Sequence, residues 1–64
     1  MSLPENLKNA RKSKGLTQQQ LADLLGLDRS AIAHYEKGSA MPHARNIQRV
    51  CNILEITFDE LFKE

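Results

Sequence analysis

Along the chain apolar residues recur every three or four positions, with no stretch of strict alternation, a pattern that predicts helices and no strands. Residues with start and stop character bracket each apolar run. A first helix over 4–14 carries Leu3, Leu7 and Ala10 on its inner side and stops at Gly15. A second opens with Thr17 as N-cap and Gln20 three residues on, a capping box, with Leu16 and Leu21 spaced as a hydrophobic staple; it ends near Leu25. The third, over 28–37, has Asp28 as N-cap, Leu27 and Ile32 as a second staple, and Gly38 as its stop. After a loop over 38–42, a fourth helix over 43–54 places Ala44, Ile47, Val50, Cys51 and Leu54 on one stripe. The fifth starts at Thr57, with Glu60 completing a capping box and Ile56 and Leu61 a third staple, so that Leu61 and Phe62 close the core. The expected fold is all-α, a compact five-helix domain.

The junction between the second and third helices is the most informative part. Ala22 leaves room for a following helix to cross, and Gly26 can take the positive φ that ends a helix and turns the chain. With Leu21, Leu25, Leu27, Ile32 and Tyr35 facing inward, residues 17–36 have the spacing of a helix-turn-helix. At about 100° per residue, Ala31, Ile32 and Tyr35 share one side of the third helix. Arg29, Ser30, Ala33, His34 and Lys37 share the other, which has hydrogen-bonding groups and no bulky apolar side chain. Such a face can enter a major groove: Ala33 permits close approach to base edges or a thymine methyl, and Arg29 can reach guanine O6 and N7 as a bidentate donor. A merely solvated helix face has the same composition. Its place directly after the Ala22 and Gly26 turn is what favours DNA contact.

Composition narrows the alternatives. Sixty-four residues, 41% hydrophobic, make one small domain over 1–64, with too little volume for a deep catalytic cleft. No nucleophile, base and orienting group converge, so an enzyme is not expected. The single Cys51 has no disulfide partner and reads as a buried core thiol, while His34 and His43 do not form a metal pair; no metal or cofactor is expected. The chain has no run of about 18 apolar residues and no signal-peptide pattern, which predicts a cytoplasmic protein without a membrane partner. No second domain for sensing a small molecule is expected from these 64 residues. Met1-Ser2-Leu3 fits a partial expression remnant and a native start alike.

The net charge of +1 conceals a division. Residues 1–50 carry eight basic and four acidic side chains, a net of +4, whereas residues 51–64 carry one basic and four acidic, a net of −3. A basic face for phosphate with an acidic end turned away is the expected arrangement.

Several elements together resemble the Cro/repressor-type helix-turn-helix family, also called the XRE family. They are the Leu-Thr-Gln-Gln-Gln-Leu-Ala start of the second helix, Gly26, the run Ile32-Ala33-His34-Tyr35-Glu36-Lys37-Gly38, Pro42, and the final Ile-Thr-Phe-Asp-Glu-Leu-Phe. The resemblance covers nearly the whole chain and implies a lambda-repressor-like fold, operator-like double-stranded DNA as partner, and a role as a transcriptional regulator, most often a repressor. It implies base reading by Arg29, Ser30 and His34, with Ala33 between them, and phosphate contacts by Gln18, Lys37, Ser39 and the backbone around His43. A Ser or similar cap is frequent where His43 stands, and basic residues often occupy Ser39 and Ala40, which implies a weaker or more pH-dependent clamp here. Arg11 and Glu36 match a pair that commonly forms a structural salt bridge. The resemblance also implies a homodimer, with Ile56 and Phe58 as interface candidates; both fit equally well as caps on the core. Within the same chemistry a restriction-modification controller or an autoregulating antitoxin remains open, as does a protein-interaction module that keeps the fold without reading DNA.

Overall fold

The computed structural model describes residues 3–64; Met1 and Ser2 lie outside the described residues, while Leu3 is buried in the core. Five helices follow one another: α1 (Leu3–Ser13), α2 (Gln18–Leu25), α3 (Arg29–Lys37), α4 (Ala44–Leu54) and α5 (Phe58–Phe62), with no strand among the described residues.

Local chemistry sets both ends of these helices. Thr17 Oγ1 accepts from the Gln20 amide at 3.0 Å while the Thr17 amide donates to Gln20 Oε1 at 2.8 Å, and Thr57 and Glu60 repeat the exchange at the same two distances. Each capping box satisfies two amides that the first turn leaves without partners. Asp28 departs from the expectation: it occupies the N-cap position, but its side chain makes no capping hydrogen bond. The Ala31 amide, which a capping carboxylate takes, donates instead to the Asp28 carbonyl at 3.0 Å. Asp28 thus acts on α3 only as a charge near the helix N-terminus.

The first three helices end in Schellman turns, and α4 ends in a related left-handed turn in which the Glu55 amide reaches the Cys51 carbonyl. The Leu16, Leu27, Ser39 and Ile56 amides reach back to the carbonyls of Arg11, Ala22, His34 and Cys51 at 2.9–3.1 Å, each across a residue at positive φ. That residue is glycine in three turns and Glu55 (φ 58°) in the fourth. Leu16, Leu27 and Ile56 immediately precede the next helix's N-cap, so one half-buried apolar side chain closes one helix and anchors the start of another. Ser39 is the polar exception.

Leu7, Leu21, Leu25, Ile32, Val50 and Leu61 are fully buried at the centre, and Ala22 is fully covered where α3 crosses α2. Truncating one of the large side chains to Ala costs about 2–5 kcal/mol. Two further expectations need correction. Ala44, the first residue of α4, is exposed at the solvent end of its stripe. Phe62 is 40% exposed, because adjacent helical residues point about 100° apart and Leu61 takes the inward direction. Polar ties complete the frame: Arg49 donates to the Leu25 and Leu24 carbonyls at the end of α2, and Asn6 donates to the Leu61 and Lys63 carbonyls at the end of α5.

Candidate nucleic-acid interface

With Gly26 at φ 71° and Ala22 admitting close approach, the turn after α2 holds α3 across α2 and α1. Ile32 and Tyr35 enter the core and Ala31 is half-buried against it. On the other side Arg29, Ser30, His34 and Lys37 are exposed, with half-buried Ala33 lying low between them. These five residues line one side of a shallow groove of about 370 Å³, which Gln18 of α2 and Lys8 of α1 also border.

Beneath the groove runs a continuous polar chain. Arg11 is 6% exposed, and its Nε and Nη2 donate to Glu36 Oε2 and Oε1 at 2.6 and 3.1 Å, a two-pronged grip on the carboxylate. Arg11 Nη1 donates to the Leu16 carbonyl at 2.7 Å. Glu36 Oε1 also accepts from Gln18 Nε2 at 3.0 Å, and Gln18 Oε1 accepts from Arg29 Nη1 at 3.4 Å. One carboxylate at the end of α3 is therefore linked to a helix-one arginine, to the first residue of α2, and through it to the first residue of α3. Among the described residues no buried side-chain nitrogen or oxygen lacks a partner. The remaining N–H groups of Arg29 stay available to the groove, since a guanidinium has five.

At the far end of α3, Ser39 Oγ lies 3.0 Å from His34 Nδ1 and 3.4 Å from the His34 carbonyl. Ser39 is therefore engaged with His34 at the rim of the groove. His43 is exposed at the N-cap of α4 without a capping side-chain bond and does not line the groove. Ile56 is half-buried against the core, whereas Phe58 is 51% exposed and faces Phe62 with ring centroids 6.4 Å apart.

The residue that sequence reasoning missed here is Lys8. It also borders a second groove along α1 beside α3, where Lys8, Lys12 and Lys37 stand with Glu5 and Glu36. The sequence carries the signal, since Lys8 and Lys12 are one helical turn apart on a helix whose inner side is marked by Leu3, Leu7 and Ala10. Cys51 is buried, and that burial pushes its thiol up from the ordinary range. Among the described residues no group of three or more His, Cys, Asp or Glu is placed to hold a metal, and no helix is long and apolar enough to cross a membrane.

Residues 7–61 match the sequence profile of the family described as Helix-turn-helix. YqaE of Bacillus subtilis, an uncharacterized HTH-type transcriptional regulator, is 48% identical over 59 residues, which are 92% of this chain and 51% of its own length. RstR of Vibrio cholerae, the transcriptional repressor of cryptic phage CTXphi, is 38% identical over 61 residues, 95% of this chain and 54% of its own. The chain thus spans about half the length of these curated relatives. The crystal structure of the restriction-modification controller C.AhdI from Aeromonas hydrophila superposes with a TM-score of 0.85 at 38% identity, covering 94% of this chain and 91% of that one. The P22 c2 repressor, crystallised with a synthetic operator, superposes with a TM-score of 0.90 at 24% identity over 98% of this chain and 96% of that one, a likeness of fold.

Proposed function

The chain belongs to the Cro/repressor-type (XRE) helix-turn-helix family, and on that premise we propose that it binds double-stranded DNA sequence-specifically as a transcriptional regulator, reading an operator through the major groove with α3. One observation carries the reading: the solvent side of α3 presents Arg29, Ser30 and His34 around the low Ala33, while the polar chain beneath holds Arg29 at the mouth of the groove. Arg29, Ser30 and His34 address base edges, and Ala33 lets the helix approach. Phosphates flank this strip, met by Lys37 and Lys8 on the α1 side, by the second Gln18 amide hydrogen, and by the backbone around His43 where the chain enters α4, whereas the Ser39 hydroxyl and amide are engaged with His34.

One such helix spans only a few base pairs, so the working unit is a homodimer on a two-fold axis, its two α3 helices about 34 Å apart. The exposed Phe58 and Phe62 rings supply an apolar patch for that contact. Repression is the leading regulatory role. A restriction-modification controller is the second reading, favoured by the match that spans most of C.AhdI.

Selection of bound duplexes from a randomised pool at about 100 mM salt, where purely ionic binding is suppressed, tests the proposal. The expected product is a two-fold symmetric motif with half-sites about 10 base pairs apart. A folded protein that enriches nothing is instead an interaction module.

A further inference from the structure

The Schellman turn that ends α3 folds Ser39 back over His34, and the geometry of this pair constrains which ring nitrogen carries the proton. Ser39 Oγ lies within hydrogen-bond distance of two groups, His34 Nδ1 at 3.0 Å and the His34 carbonyl at 3.4 Å. A hydroxyl has one hydrogen to give, and a carbonyl can only accept. Both contacts are hydrogen bonds at once only when the hydroxyl donates to the carbonyl and Nδ1–H donates to Oγ; a bare Nδ1 takes the hydroxyl proton instead and leaves the longer contact unmade. On that carbonyl the hydroxyl is the third and weakest donor, after the Gly38 and Ser39 amides at 3.0 and 3.1 Å. In a neutral imidazole with Nδ1 protonated, Nε2 is a bare acceptor, and it is the ring nitrogen left for the groove that His34 lines.

From this we infer that His34 is a specificity-determining residue that accepts a hydrogen bond from an exocyclic amino group in the major groove, adenine N6 or cytosine N4, with Ser39 as the positioning residue that fixes the tautomer. The inference rests on the proposed DNA reading and goes beyond it by naming the chemical group. An imidazole with the proton on Nε2 is complementary to the opposite set: guanine O6 and N7, thymine O4, or a phosphate oxygen. The Arg29 guanidinium, donor-only, reads that opposite set from the other end of α3. Arg29 and His34 therefore present opposite hydrogen-bonding character to the groove.

Two measurements test this. Long-range proton–nitrogen correlation on the DNA-free protein at about pH 8.5, where an imidazole carries one proton, reports the tautomer directly. The expected pattern is a protonated Nδ1 in the wild type and a shift toward protonated Nε2 in Ser39→Ala. A wild type protonated on Nε2 overturns the inference. The second measurement uses the base pair whose preference vanishes when selection is repeated with His34→Ala, a substitution at an exposed site. Replacing its adenine by purine, or its cytosine by 2-pyrimidinone, removes only the amino group. The wild type should then bind about tenfold more weakly and His34→Ala should bind unchanged. Equal losses in both proteins, or no base pair whose preference depends on His34, overturn the inference while the DNA reading stands. Failure to enrich any operator removes the DNA reading itself, whichever tautomer is found.

Discussion

Arg11 and Glu36 stand 25 positions apart in the chain, yet Arg11 Nε lies 2.6 Å from Glu36 Oε2, joining α1 to the end of α3 with both side chains almost wholly covered. A buried ion pair orients more dependably than it stabilises, because desolvation offsets much of the attraction. Here the orientation reaches the groove, since the same carboxylate holds Gln18 and Gln18 holds Arg29.

Glu36→Ala strands the Arg11 charge in the interior and releases Gln18. Stability should fall by about 3–5 kcal/mol, and operator affinity should fall with it even at temperatures where the variant remains folded. Thermal melting and a binding titration read the two effects. An unchanged melting temperature together with unchanged binding refutes the structural role of the pair.

Lys37 is exposed on the flank of α3, and its proposed role is purely ionic. Lys37→Ala should weaken operator and random duplexes alike and reduce the slope of log K against log salt by about one unit. An unaltered slope means that Lys37 does not meet the backbone.

Much of this architecture was legible from the sequence, for a local reason. Thr17 with Gln20 and Thr57 with Glu60 are three residues apart, and Gly15, Gly26 and Gly38 announce helix ends by the backbone conformation they permit. What escaped depends on geometry beyond one turn. Glu55 occupies a left-handed site without being glycine, and an ion pair with Lys14 accompanies it. Asp28 has the composition of a cap but not its bond. Phe62 and Leu61 are adjacent apolar residues, of which only one can face inward. At the groove, periodicity alone assembled the α3 face. The links from Glu36 through Gln18 to Arg29, and from Ser39 to His34, needed the crossing angle of the helices and the path of the turn.

Lys14 also perturbs Glu55: its hydrogen bond, and then its charge, hold the Glu55 carboxyl below the usual glutamate range. A carboxyl lowered on folding adds stability above its unfolded pKa, and the contribution disappears as the pH falls through the folded value. Carbon-detected titration should find Glu55 ionising below an ordinary glutamate and returning to the usual range in Lys14→Ala. Identical midpoints in the two proteins contradict the assignment. At this exposed site the effect on overall stability should be slight.

Phe58 and Phe62 form an exposed aromatic pair on α5, away from the α3 groove. Phe58→Ala should weaken self-association about tenfold in sedimentation equilibrium, with helix content retained. An unchanged association constant takes Phe58 out of the interface and leaves it as a cover for the core.

The central claim, that the exposed side of α3 reads base sequence, is tested most directly by running duplex selection in parallel on the wild type and Arg29→Ala. Arg29 makes no core contact that the fold requires, so the variant should fold normally, bind its operator about 1–3 kcal/mol more weakly, and lose discrimination at one base pair of each half-site while keeping the rest of the motif. A uniform loss across all sequences, with every position of the motif preserved, would contradict base reading by this face and reduce Arg29 to a backbone contact.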